Sequence, residues 1–410
     1  MLRTLAIFAT VLLVSCAEVG TAPSATPAPP PTLSAIAPAP PPPGPPQVAP
    51  RAPEREAIET QPPENGHAAG RAAAAADGVK PYTTVRLFFG TDRNRTGSTT
   101  PADVFGEDRG EALIFGTCEV SIPRGHQPGE LETPFILRRA FESPERHVVL
   151  LSVTPKSRDE VFAQMAVMLA NRPERTAFVF VHGFNNSFED AARRTAQIFY
   201  DVGFDGVPLF YSWPSKGKAN DYSYDLNNAD QAVAYMKVFL GDLAASGEFD
   251  SITLVAHSMG SRALTRAFME LIPNLPGDQV AKFSELILAA PDIDADVFRN
   301  DIAPALVAAG KPVTVYASAK DLAMVASKDF GGYPRLGDAR NGIVVIRGVE
   351  SVDATEVDTN LFWGIGHSYV ADSPQMLHDL HDLVVARLRA AQRGDLEEVS
   401  TAAGAYWRFK

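Results

Sequence analysis

Ser251-Ile252-Thr253-Leu254-Val255-Ala256-His257-Ser258-Met259-Gly260-Ser261-Arg262 carries more structural information than any other stretch of this chain. A short β-branched, apolar run ends in a serine set among small residues. A helical pattern follows at once in Ala263, Leu264, Ala267, Phe268 and Leu271. The segment therefore predicts strand, sharp turn and helix, with Ser258 at the apex. That is the geometry of a nucleophile elbow, in which a strained turn lifts a serine Oγ clear of the backbone. The usual spacing is Gly-x-Ser-x-Gly. Ala256 takes the first small position here, a mild departure where strand and helix pack closely. Ser is also a favoured helix N-cap, so a purely structural role for Ser258 is the competing reading.

A second segment supports the first. Phe178-Val179-Phe180-Val181 reads as a fully buried strand and runs into His182-Gly183-Phe184-Asn185-Asn186. A His-Gly loop after an early strand can offer one backbone N–H to a developing oxyanion, and the residue after the nucleophile offers the other. On that reasoning the donors are the N–H groups of Phe184 and Met259. An ordinary turn at His182-Gly183 is the alternative.

Outward from these two segments, strands and helices alternate. Strand patterns cover Val85 to Phe89, Leu113 to Ile122, His147 to Thr154, Val207 to Ser212, Leu286 to Ala290, Pro312 to Ala317 and Asn341 to Arg347. Helical patterns run from about Arg158 to Ala170, Phe188 to Val202, Ala229 to Ala245, Ala295 to Ala308 and Pro374 to Ala391. Such alternation predicts an α/β protein whose mostly parallel sheet is covered on both faces. Ligands bind such sheets at the carboxyl ends of the strands, which places the chemistry on the loops after Val181, Ser212, Ala256, Ala290 and Ala317.

The N-terminus reads differently. Met1-Leu2-Arg3, an apolar run to Val14 and Ser15-Cys16 make a secretory signal, too short to span a membrane. Leu13-Val14-Ser15-Cys16 also resembles a bacterial lipobox, which implies a signal peptide at residues 1–15 and lipidation of Cys16. A plain signal peptide with a chance Cys is the alternative. Residues 16–79 form the anchor and a Pro/Ala-rich tether that cannot bury enough surface to fold, and residues 80–410 suit one large domain. The formal net charge of −12 and the lack of a basic patch argue against nucleic acid as a partner. The two cysteines are Cys16 and Cys118, the latter a candidate small buried hydrophobe. No zinc-type Cys/His spacing appears, so no metal is expected.

A serine hydroxyl needs a base, and the base needs an orienting acid. In the chain order Ser, acid, His, three histidines follow Ser258: His367, His378 and His381. The last two fall inside the closing helix. His367 sits in Trp363-Gly364-Ile365-Gly366-His367-Ser368-Tyr369, a Gly-rich loop suited to reach the strand ends. His182 and His257 precede the nucleophile and read as loop supports. For the acid, Asp321 follows the strand ending at Ala317 and is preferred. Asp292, with Asp294, is the rival, and Asp353 and Asp358 trail. Trp213, Tyr222, Tyr224 and Phe362 are candidate walls of an acyl pocket, with plain packing as the alternative.

From about Tyr82 to His378 the chain resembles bacterial α/β-hydrolases of the esterase/lipase superfamily whose physiological function is not established. The resemblance rests on Phe89-Gly90-Thr91-Asp92-Arg93, Val181-His182-Gly183-Phe184-Asn185, Tyr211-Ser212-Trp213-Pro214-Ser215, Ala256-His257-Ser258-Met259-Gly260, Ala290-Pro291-Asp292-Ile293-Asp294 and Gly366-His367-Ser368-Tyr369. It implies the α/β-hydrolase fold, a serine nucleophile and a late histidine, and leaves the acid open. The resulting expectation is a lipid-anchored envelope enzyme, at the outer membrane if there are two, that cleaves small-molecule or lipid esters without a cofactor. A binding or scaffolding lipoprotein on the same fold is the alternative.

Overall fold

The computed structural model describes residues 80–134, 141–216, 221–321, 324, 327, 332–357 and 369–410, with Tyr369 and Val370 as backbone alone. Strands within them are β1 (Tyr82–Arg95), β2 (Phe105–Pro123), β3 (Val149–Lys156), β4 (Thr176–Val181), β5 (Val207–Ser212) and β6 (Ser251–His257). They continue as β7 (Phe283–Ala289), β8 (Val313–Ala317), β9 (Glu350–Asp353), β10 (Leu396–Thr401) and β11 (Gly404–Phe409). The main helices are α1 (Arg158–Leu169), α2 (Phe188–Val202), α3 (Tyr222–Ala245), α4 (Met259–Leu271) and α5 (Pro374–Val384).

One sheet takes all eleven strands, in the order β10-β11-β9-β8-β7-β6-β4-β5-β1-β2-β3. From β1 through β5, β4, β6, β7, β8 and β9 to β11 every neighbouring pair is parallel. Antiparallel pairs close the two ends, β1–β2 and β2–β3 on one side and β10–β11 on the other. All six residues of β4 are buried, as a central strand covered on both faces requires. On one face Val179, Leu254 and Leu288 pack with Met165 of α1, Phe239 of α3 and Phe268 of α4. On the other, Phe180, Val255 and Ile287 pack with Ala192 of α2 and Leu380 of α5. The sheet is thus the middle of three layers, and β6 with its elbow lies near its centre.

Reciprocal capping boxes start the helices on either side of β4. Ser157 and Glu160 close α1, and Ser187 and Asp190 close α2. The second box follows directly on the Gly183–Asn186 loop and sets where that loop must end. Cys118 is buried in β2, where burial pushes its thiol pKa up, as a small hydrophobe would behave.

Several elements depart from the sequence expectation. Asn341 to Arg347 is not a strand: Val344 and Ile346 pack against the core, but the pairing backbone is the later β9. Helix α3 starts at Tyr222 rather than Ala229, and α5 stops at Val384 rather than near Ala391. The helix near Ala295 is broken by a π turn at Phe298–Ile302. The β10–β11 hairpin lies beyond every strand expected from the sequence.

Candidate active site

Ser258 sits between β6 and α4 with φ 52° and ψ −125°. An L-residue in this region is strained at a cost of about 1–3 kcal/mol, and it persists because its surroundings hold it. The Ser258 N–H donates to Ala289 O of β7 at 2.9 Å. The Ser258 carbonyl accepts from Ser261 N–H at 3.0 Å and from Asp292 N–H at 3.1 Å. The hydroxyl makes no capping bond to α4, so the N-cap reading does not describe this side chain.

Two glycines bring the neighbouring loop onto the elbow. A Cβ on Gly260 would collide with the His182 carbonyl. A Cβ on Gly183 would lie 2.8 Å from Ser258 Cβ and 2.9 Å from His257 Nδ1. Neither position tolerates a side chain without movement, and the loop after β4 therefore lies directly beside Ser258. Phe184 follows in that loop, and Met259 opens α4. Among the described residues neither N–H has a hydrogen-bond acceptor. An oxyanion site requires backbone N–H donors beside the attacking oxygen, the role expected of these two groups.

His182 supports this loop. Its ring is buried and stacked on Trp213, with centroids 5.0 Å apart and planes 13° apart. Nδ1 lies 2.8 Å from Gly183 O, and Nε2 faces Ser212 Oγ at 3.2 Å. Burial and then the Arg93 charge hold its pKa down at about 3, so the ring is neutral and donates from Nδ1 to the carbonyl. Trp213 is itself fully buried, with Nε1 donating to His182 O at 2.8 Å, and presents no accessible surface. Tyr224 is half exposed and lies under Lys216 Nζ. Of the described aromatics expected at a pocket wall, Tyr222 is the one placed beside the Gly183–Asn186 loop, its ring 5.5 Å from that of Phe184. Phe362 lies outside the described residues.

The two candidate acids sit in different surroundings. Asp292 has both oxygens engaged: Tyr222 Oη donates to Oδ2 at 2.6 Å, Ser327 Oγ donates to Oδ1, and Arg335 Nε is 3.3 Å from Oδ1. It ties the loop after β7 to α3 and to Arg335. Asp321 follows β8 as expected, is fully buried, and accepts the Met324 N–H on Oδ1 at 3.2 Å. His367, the expected base, lies outside the described residues. His378 is exposed on α5, and His381 Nδ1 is 2.8 Å from Val202 O, consistent with helix-face roles. Asp294 caps the helix after β7 by accepting from Asp296 and Val297 N–H. Among the described residues no His, Cys, Asp and Glu side chains group to hold a metal ion.

Sequence reasoning quoted Arg93, Ser212 and Ser215 only as motif residues and assigned no role to them or to Asp225, which pack under the Gly183–Asn186 loop. Arg93, Ser212, Ser215 and Asp225 are all buried there. Ser215 Oγ donates to Asp225 at 2.5 Å, and Lys216 N–H donates to the same carboxylate at 2.9 Å. The available signal was an arginine at the end of an apolar strand, Phe88-Phe89-Gly90-Thr91-Asp92-Arg93. A small cavity among the described residues lies elsewhere, between Thr176, Ser251 and Arg387 at the amino ends of the strands. Parallel sheets carry their chemistry at the other end.

A serine at φ 52° after a central parallel strand, with the Gly183 loop packed against it, fits an α/β-hydrolase fold. Residues 157–387 match the family described as "Alpha/beta hydrolase of unknown function (DUF900)", more than half of the chain, and the protein belongs to that family. Among solved structures it is similar to the lin2722 gene product of Listeria innocua at 11% identity and TM-score 0.34, covering 53% of this chain and 96% of that one. It is similar to Est1E from Butyrivibrio proteoclasticus at 12% identity and TM-score 0.31, covering 53% and 90%. The esterase Est2 of Thermogutta terrifontis is similar at 13% identity and TM-score 0.30, covering 72% and 96%. No curated protein sequence matches the chain. The fold assignment stands on the family match and the strand order.

Proposed function

We propose that the protein is a serine hydrolase that cleaves carboxylic esters through an acyl-enzyme. Ser258 is the nucleophile, His367 the base and Asp321 the acid. The observation that carries this reading is the Ser258 backbone at φ 52°, beside a loop whose Gly183 abuts its Cβ. Strain at that residue is accounted for if its Oγ must stand free of the helix.

His367 takes the hydroxyl proton as Ser258 Oγ attacks the ester carbonyl carbon. The carbonyl oxygen becomes an oxyanion held by the Phe184 and Met259 N–H groups, each worth about 10²–10³ in rate. Collapse of the tetrahedral intermediate breaks the bond to the alcohol, which leaves with the proton from His367. Water then gives its proton to His367 and attacks the acyl carbon. The carboxylic acid departs as Ser258 recovers its proton. Asp321 is preferred as the acid because Asp292 already neutralises Arg335 and accepts from Tyr222. Tyr222 and Phe184 supply apolar surface for the acyl group.

The N-terminal residues support a lipoprotein. On this reading residues 1–15 are the signal peptide, Cys16 carries the lipid, and residues 16–79 tether a catalytic domain at 80–410. The enzyme then works at a bacterial envelope membrane, the outer one where two exist, on lipid or small-molecule esters. A panel of chromogenic acyl esters presented to the full-length protein tests the activity. Turnover that disappears in Ser258→Ala supports it, and inertness toward every ester tested would overturn it.

A further inference from the structure

Arg93, at the end of β1, takes no part in the mechanism above, yet it is completely buried. Burying a guanidinium is costly unless its donors are filled. Nε donates to Ser212 Oγ at 2.8 Å. Nη1 donates to Ser215 O at 3.0 Å and Gly106 O at 3.1 Å. Nη2 donates to Asn186 O at 2.7 Å and lies 3.5 Å from His182 Nε2. These acceptors are neutral and come from β2, from the end of β5 with the loop after it, and from the loop after β4. An arginine kept for a simple ion pair would sit on a carboxylate. This one joins three segments.

The Asn186 backbone is held at both polar groups. Its carbonyl accepts from Arg93, and its N–H donates to Ser215 Oγ at 3.2 Å. Ser215 Oγ in turn donates to Asp225. Asn186 ends the turn that begins at Gly183 and carries Phe184. Asn185 between them has φ 60°, a left-handed conformation that asparagine adopts more readily than most residues. The Asn186 side chain adds a bond to Phe184 O at 2.8 Å.

We propose that Arg93 is a positioning residue for the oxyanion site, holding the Asn186 carbonyl so that the Phe184 N–H points at the reacting oxygen. This rests on the serine-hydrolase reading. Lysine cannot replace it, because one ammonium does not span acceptors on three segments as a planar fork does.

The experiment compares full-length wild type, Arg93→Lys, Ser212→Ala and Val120→Ala. Ser212→Ala removes the acceptor of Arg93 Nε and is the milder variant should Arg93→Lys fold poorly. Val120→Ala lowers stability from a buried site in β2 without touching the loop. Each is assayed for ester turnover, thermal midpoint and affinity for a trifluoromethyl ketone, whose adduct with Ser258 places an oxyanion in the site. Arg93→Lys should lose about 10²-fold in kcat, the scale of a displaced catalytic group, with KM changed by less than about threefold. Ketone affinity should fall in parallel, and Ser212→Ala should shift the same way by a smaller factor. Val120→Ala should lose stability and keep kcat. Wild-type kcat in Arg93→Lys and Ser212→Ala, or losses no larger than those of an equally destabilised Val120→Ala, would overturn the role of Arg93. Absence of turnover and of ketone binding in the wild type would instead overturn the serine-hydrolase reading itself.

Discussion

Gly183 and Ser258 meet across two loops from neighbouring strands, so closely that a Cβ on the glycine would stand 2.8 Å from the serine Cβ. The loop after β4 and the turn at Ser258 are therefore positioned by one steric contact. Gly183→Ala must push the loop away or bend the elbow. It should lower kcat by about 10²-fold, as expected for a displaced catalytic group, and cost about 1–3 kcal/mol from overpacking. Steady-state kinetics with a thermal melt checks both. Unchanged kcat would mean that the loop does not act at Ser258.

The two carboxylates should separate by what their loss damages. Asp321→Asn is expected to cost about 10⁴ in kcat, on the pattern of triad acids, with the fold intact. Asp292→Asn removes the anion beside Arg335 and should cost about 1–3 kcal/mol of stability while most activity survives. His367→Ala should abolish turnover and His378→Ala should not. Collapse of kcat in Asp292→Asn alone, with both variants folded, would move the acid to the loop after β7.

His126 should make stability depend on pH. Its side chain, 3% exposed, lies 2.9 Å from Glu132 and 2.8 Å from Asp201. Burial is the largest single effect and opposes its charge, but the hydrogen bonds and charges of Asp201 and Glu132 together outweigh it and raise the pKa from 6.5 to about 9. The folded pKa is the higher one, so the stabilisation is complete below about pH 6.5 and is lost as pH rises through about 9. The loss should approach roughly 3 kcal/mol. Denaturant unfolding at pH 6.5 and 9.5 should show that drop in the wild type and little of it in His126→Gln. Equal drops in both proteins would remove His126 as the cause.

The anchor has its own test. Wild-type protein should fractionate with membranes and carry acyl mass on Cys16, and Cys16→Ser should remain unprocessed by the lipoprotein peptidase. Recovery of the wild type in a soluble fraction without acyl mass would contradict it.

Much of this was legible in the sequence, for identifiable reasons. Strand β5 (Val207–Ser212) and helix α2 (Phe188–Val202) have the expected ends because a capping serine or a following Trp-Pro marks them. The elbow was legible because a strand and a helical pattern meet at one serine. The late strand failed because Val344 and Ile346 pack as apolar residues outside any strand ladder, their carbonyls accepting from Ser351 Oγ and Val349 N–H, between Gly342 at φ 96° and Gly348 at φ 86°. The strand that does pair, Glu350-Ser351-Val352-Asp353, has one large apolar residue and no visible alternation. Trp213 looked like a pocket wall because hydrophobicity cannot tell a lining residue from one stacked on a buried histidine. Arg93 stayed silent for a similar reason. Its acceptors come from segments far along the chain, and no periodicity reports them.

The most direct test is the mass of the protein quenched during turnover of an activated acyl ester. A single acyl group should appear on the peptide containing Ser258, and Ser258→Ala should show neither the adduct nor turnover. An adduct on another residue, or wild-type turnover in Ser258→Ala, would contradict the assignment of Ser258 as the nucleophile.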